Sequence, residues 1–152
     1  MMDFFKTARR KDSGYTVIIG CGRLGASLAN AISDKEASVM MVDRDERAFR
    51  KLGAAYGGLT LTGDATDIAV LRSAEIERAD TVVSVTNDDN TNIMVAQIAR
   101  NVCHIPNVIC RLYDPEREIV YKEFGIDTIC PTVLSTREID RLLGKSKEAK
   151  EA

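Results

Sequence analysis

A long apolar run, an excess of basic charge, clustered cysteines and more than one histidine are all missing from this sequence. No stretch approaches the ~18 consecutive apolar residues of a membrane span, and Met1-Met2-Asp3-Phe4-Phe5-Lys6 leads into Arg9-Arg10-Lys11 instead of an apolar signal core. Direct membrane insertion is therefore not expected, and the composition predicts a soluble, cytoplasmic protein. With 21 Lys+Arg against 23 Asp+Glu and a net charge of −2, there is no basic surplus to neutralise a nucleic-acid backbone. Cys21, Cys103, Cys110 and Cys130 form no CxxC pair and His104 stands alone, which argues against a zinc cage and for buried free thiols.

What is present is one domain's worth of chain: 152 residues, 45% hydrophobic and 29% charged. After a polar, basic leader at 1–13, short runs rich in Val and Ile recur at 15–19, 38–42, 59–62, 81–85, 107–112 and 127–130. Gly, Asp, Asn or Pro bound most of them, as in strands buried on both faces of a parallel sheet. Helical spacing fills the intervals at 24–33, 45–52, 67–73, 90–102 and 116–124. In the last, Asp114 can cap, Pro115 suits the first position, Ile119, Val120 and Phe124 supply an apolar face, and Gly125 can end the helix. The alternation predicts a Rossmann-like, doubly wound α/β fold: a mainly parallel six-stranded sheet with helices on both faces. An amphipathic helix at 135–143, with Ile139, Leu142 and Leu143 on one face, either closes the sheet or packs on a second subunit. A solvated tail is expected over 146–152, which leaves 14–145 as the folded unit.

Directly after the first strand comes Gly20-Cys21-Gly22-Arg23-Leu24-Gly25, a G-x-G-x-x-G that opens a helix. Gly20 permits the turn, Gly22 admits a pyrophosphate to the backbone, and Gly25 lets helix and strand pack closely. The helix N-terminus adds free N–H groups and partial positive charge, and Arg23 can fork two phosphate oxygens. Asp43 lies 23 residues after Gly20 at the end of the second strand, where an acid accepts from ribose hydroxyls. It disfavours a 2′-phosphate and thus NADP, although the adjacent Arg44 weakens that inference. Two more polar groups follow later strands, Gly63-Asp64-Ala65-Thr66 and Thr86-Asn87-Asp88-Asp89-Asn90. Loop and cap chemistry accounts for Thr66, Asp88 and Asn90, so Asp64 and Asn87 are the better candidates to face adenine and the ribose or phosphate side. Cys21, at the helix start, is either a small residue fitting a tight turn or an activated thiol.

Proton-transfer groups for a dehydrogenase are scarce. None of Tyr15, Tyr56, Tyr113 and Tyr121 has a lysine four positions later, and six strands with their helices leave no length for a substrate domain. A nucleotide sensor without enzymatic activity is the simplest expectation. The alternative is a small NAD-dependent oxidoreductase, or the cofactor-binding half of one.

The set Val17-Ile18-Ile19-Gly20-Cys21-Gly22-Arg23-Leu24-Gly25, Val42-Asp43, Gly63-Asp64-Ala65, Thr86-Asn87-Asp88, Arg111 and Lys122-Glu123-Phe124-Gly125-Ile126-Asp127 resembles the nucleotide-binding RCK (KTN) domain of Trk/Ktr-type potassium-uptake regulators. The resemblance implies a cytoplasmic regulatory subunit held at the inner face of the membrane by a potassium transporter or channel. It further implies homodimers or larger rings, and NAD, NADH, ATP, ADP or AMP as the bound adenine nucleotide. Arg23 would then meet the phosphates, Asp43 the ribose and Asp64 the adenine end. Arg111 would be a further phosphate-side contact or act toward a neighbouring subunit, and Glu123 matches an acid that in some members lies near a cation at the subunit interface. Two departures stand out. Many members carry a second regulatory lobe beyond the point where this sequence stops, and Ala74-Glu75-Ile76 occupies a place where the pattern often has glycine.

Overall fold

In the computed structural model the described residues are 14–34 and 37–151, so the expected leader at 1–13 lies outside them. The six strands are β1 (Tyr15–Ile19), β2 (Ser38–Asp43), β3 (Leu59–Thr62), β4 (Thr81–Ser84), β5 (Asn107–Arg111) and β6 (Asp127–Ile129). They form one sheet in the order β3-β2-β1-β4-β5-β6, and every pairing is parallel. Five α-helices accompany them: α1 (Arg23–Ser33), α2 (Ile68–Ser73), α3 (Asp89–Gln97), α4 (Glu118–Lys122) and α5 (Pro131–Glu151).

The continuous apolar runs are explained by burial from both sides. Ile18, Met41 and Val83 pack with Ala26 and Ala29 of α1 on one face. Val17, Ile19, Met40, Val42 and Val82 pack with Leu71 of α2 and Ile93, Val95 and Ala96 of α3 on the other. Strands are added outward from β1 in one direction and from β4 in the other. The sheet therefore switches between β1 and β4, and a crevice opens beyond their carboxyl ends.

Several helical segments differ from the expectation. The segment expected at 45–52 is a 3-10 turn, Glu46–Lys51, capped by the Asp45 carboxylate through the Arg47 N–H; one short turn cannot repay α-helix nucleation. The segment at 90–102 is α3 followed by a π turn over Ile98–Val102, closed at His104 in the left-handed region (φ 55) by the Ile105 N–H to Ala99 O bond (2.9 Å). At 116–124 a 3-10 turn (Pro115–Arg117) precedes α4. Ile119, Val120 and Phe124 are exposed (73%, 51% and 50%), and Ile126 takes the buried place instead. The terminal helix is longer than expected. It begins at Pro131 and continues through Gly144 to Glu151, over the stretch expected to be a tail, where Lys, Glu and Ala favour helix. It does not close the sheet: Leu134, Ile139, Leu142 and Leu143 are 52–59% exposed.

Within Ala74-Glu75-Ile76, Glu75 occupies the left-handed region (φ 53), which favours glycine. A side chain there costs ~1 kcal/mol, while its exposed pair with Arg78 returns only ~0.2–1 kcal/mol. Glu75→Gly is accordingly expected to stabilise the fold by a few tenths of a kcal/mol up to ~1, raising Tm by ~1–3 °C in thermal denaturation; a lower Tm would contradict this account of the strain.

Candidate functional site

The glycines at the end of β1 do different jobs. Gly20 turns with φ +103, and a Cβ there would lie 2.8 Å from the Thr86 nitrogen. At Gly25 a Cβ would sit 1.9 Å from the Gly20 carbonyl oxygen, so the first turn of α1 rests directly on the strand end. Gly22 is unlike both. Its backbone is extended (φ −83, ψ −167), a conformation any residue adopts, and a Cβ would meet nothing within 4 Å among the described residues. Nothing in the fold itself requires glycine at this position.

Gly22 is also the N-cap of α1, where no side chain caps the helix and no acid occupies the first turn. By contrast α2 and α3 are capped by the carboxylates of Asp67 and Asp88. The start of α1 thus presents N–H groups and partial positive charge toward the crevice. Arg23 and Leu24 are exposed on this turn, whereas Cys21 and Gly25 are buried.

Across the crevice lies a cleft of about 120 Å³. Of the residues expected at the site, Gly20, Asp43, Arg44, Gly63, Asp64, Ala65, Thr86 and Asn87 line it. Ile19 and Val42 add apolar floor, and Asp88 and Thr91, which were not expected there, extend its polar rim. Cys21, Gly22, Arg23, Leu24 and Gly25 are not in its wall; they form the adjoining helix start. The cleft is below the ~300–1,000 Å³ usual for ligand pockets, so a larger ligand would extend from it over that turn.

Both oxygens of the Asp43 carboxylate are engaged: Oδ2 accepts from the Cys21 N–H (2.8 Å) and Oδ1 from the Asp45 N–H (2.8 Å). Asp43 therefore tethers the glycine turn while facing the cleft. Asp64 Oδ1 accepts from both the N–H (2.9 Å) and the hydroxyl (2.7 Å) of Thr66. Those bonds, helped by the charge of Arg44, hold its carboxyl below the usual range, and it is ionised at neutral pH.

Arg111, at the end of β5, is half-buried outside the cleft wall. Its Nη2 donates to the Thr86 carbonyl (2.7 Å), its guanidinium lies 5.2 Å from the Tyr113 ring centroid, and its buried Nε has no partner among the described residues. Glu123 is exposed just after α4, and among the described residues no three His, Cys, Asp or Glu side chains gather as a metal site. All four cysteines are free. Burial, with the charge of Asp43 second, pushes the Cys21 thiol above its ordinary value, which argues against activation by the helix start. Burial pushes Cys110 up to about 12.

A third unexpected polar residue, Asn92, lies behind the cleft wall. Asn92 is fully buried among Ile93, Val95 and Ala96 of α3 and bonds to the loop after β4. Its only signal in the sequence is an amide interrupting a helix face that is otherwise apolar.

The TrkA-N domain profile matches residues 16–132. The Trk system potassium uptake protein TrkA of Streptomyces coelicolor is 43% identical over 115 residues, covering 76% of this chain and 52% of that protein. A TrkA homolog of Methanothermobacter thermautotrophicus is 31% identical over 136 residues, covering 89% and 62%. The chain thus spans about half the length of these two curated relatives. Among solved structures, the TrkA-N domain of the Escherichia coli inner membrane protein ybaL superposes with a TM-score of 0.76 (16% identity; 88% of this chain, 98% of that one). The AMP-bound Kef CTD of Shewanella denitrificans gives 0.72 (19%; 91% and 87%), and the GsuK channel bound to NAD gives 0.64 (18%; 80% and 22%).

Proposed function

Because the chain belongs to the TrkA-N domain family, we propose that it is the nucleotide-sensing unit of a potassium-uptake system, binding an adenine nucleotide at the β1–β4 crevice and regulating transport by conformational change. The observation that carries this is Gly22, a glycine the fold does not need, at the uncapped start of a helix beside a cleft rimmed with acceptors. A phosphate approaching the backbone explains the missing side chain. In this reading the first turn of α1 and Arg23 take the phosphates, Asp43 the ribose, and Asp64 the adenine end.

Similar proteins support the two halves of the reading. Solved structures with the same fold hold AMP and NAD, and the curated relatives are Trk potassium uptake proteins. The proposed partner is accordingly a membrane potassium transporter or channel, with this chain on its cytoplasmic side. Among the described residues no helix is long and apolar enough to cross a membrane. A second copy of the chain would cover the exposed apolar side chains of α4, the turn after it and α5, such as Ile119, Phe124, Ile139 and Leu142. Gating then requires unequal affinity, since each ~1.4 kcal/mol of preference for one state shifts the equilibrium tenfold.

A thermal-shift panel of NAD, NADH, ATP, ADP and AMP tests the reading. A ligand at ~100 times its Kd adds ~2.7 kcal/mol, or ~5–10 °C in Tm for a domain this size; no shift with any of the five would defeat it. Gly22→Ala should cost under ~1 kcal/mol of stability as a poorer cap, yet remove most of the ligand-induced shift.

A further inference from the structure

We propose that Asn92 is the positioning residue of the nucleotide cleft, holding the loop after β4 in its binding-ready form and joining it to the end of β5. The inference rests on the nucleotide reading, but it starts from geometry alone. Asn92 Oδ1 accepts from the Thr86 N–H (2.8 Å), the Thr86 hydroxyl (2.6 Å) and the Ser84 hydroxyl (3.2 Å). Its Nδ2 donates to the carbonyls of Thr86 (2.9 Å) and Arg111 (3.0 Å). One buried amide therefore satisfies every polar group of the Thr86 backbone together with its side chain.

Burying an amide costs free energy that an apolar residue would avoid, and the other buried residues of α3, Ile93, Val95 and Ala96, are apolar. What the amide secures lies outside the helix. Thr86 lines the cleft, and its nitrogen is the atom that a Cβ on Gly20 would strike. Fixing Thr86 thus fixes the spacing between the loop and the glycine turn. With its proton donated to Asn92, the Thr86 hydroxyl is left to accept from the Asp88 N–H (3.2 Å), which carries the constraint along the loop to the cap of α3. Arg111 Nη2 shares the Thr86 carbonyl with Asn92.

A second tie runs from the same helical turn. The Asp89 carboxylate accepts from the N–H groups of Tyr113 (2.8 Å) and Asp114 (3.3 Å), directly after β5. The loops after β4 and β5 are both anchored to the first turn of α3, so a ligand that displaces Thr86 displaces Arg111 with it.

Amide hydrogen exchange on the full chain, without ligand, reads the clamp directly, and calorimetric titration with ADP and NAD reads its consequence. Asn92→Ala should speed exchange at residues 86–88 and weaken binding, each by about tenfold or more, the equivalent of at least one net hydrogen bond. Val108→Ala, in the same core cluster but without a polar tie to the loop, should lower Tm while leaving affinity within about twofold. Should Asn92→Ala fail to fold, Thr86→Val removes the hydroxyl's bonds to Asn92 and to the Asp88 N–H while leaving the backbone bonds to Asn92, and should give at least ~threefold changes in both readouts. Unchanged exchange at 86–88, or equal losses of affinity in Asn92→Ala and Val108→Ala, would overturn the proposal. A wild-type chain that bound neither ADP nor NAD would instead refute the nucleotide reading, and the exchange comparison would still decide the clamp.

Discussion

Gly25→Ala is expected to leave little or no native protein. The added Cβ would lie 1.9 Å from the Gly20 carbonyl oxygen and 3.1 Å from its carbon, and both are backbone atoms. Neither can swing aside as a side-chain tip would. Gly20 is itself held by its N–H to Val42 O (2.8 Å) and sits against Thr86, while α1 is seated through Ala26 and Ala29. Relief means lifting α1 off the sheet and uncovering the cluster around Ile18, Met41 and Val83. Overpacking alone costs ~1–3 kcal/mol, and a clash against fixed backbone exceeds it; with ~5–15 kcal/mol of total stability, a loss above ~4 kcal/mol is disabling. Urea titration followed by circular dichroism gives the number. A loss below ~1 kcal/mol would mean that the contact between α1 and β1 is looser than the structure shows.

Asp43→Ala should have the largest effect on binding among substitutions that still fold. Its carboxylate tethers the Cys21 and Asp45 N–H groups and also faces the cleft. Truncation frees the glycine turn and removes the acceptor proposed for the ribose. Hydrogen bonds to a charged group are worth ~1.5–3 kcal/mol each, so ADP and NAD affinity should fall by roughly 100-fold or more. Stability should fall by a smaller ~1–2 kcal/mol, because the freed Asp45 N–H is exposed to water and only the Cys21 N–H is left partly buried. Comparing AMP with 2′-deoxy-AMP separates the two roles: the wild type should prefer the ribose, and the variant should lose most of that preference. An unchanged preference would remove Asp43 from ribose recognition and leave it only the tether.

Much of this was legible in the residues. The six strands stand within a residue of their expected bounds because runs such as Tyr15–Ile19 and Ser38–Asp43 are apolar on both faces, and only a covered parallel sheet buries both. Eight of the expected site residues line one cleft, because the motifs mark strand ends and parallel strands bring their carboxyl ends together. Helical bounds were harder to read. At 116–124 the spacing of Ile119, Val120 and Phe124 is that of a helix with a buried face, but periodicity does not say which side of a helix is covered. Here that side faces outward and Ile126 is buried.

By itself, the sequence determined the fold class, the place of the glycine turn and the acid that faces it, because these follow from local pattern and from the geometry that parallel strands impose. The tertiary structure alone decided which glycines the fold requires and which one it does not, since that depends on atoms distant in the chain: the Thr86 nitrogen above Gly20, the Gly20 carbonyl beneath Gly25, and, among the described residues, nothing within 4 Å of a Cβ on Gly22. It also decided the role of Asn92. An amide in a helix reads as one more polar residue until folding places Thr86 and Arg111 around it, and hydrogen bonds across such separations exist only once the sheet is assembled.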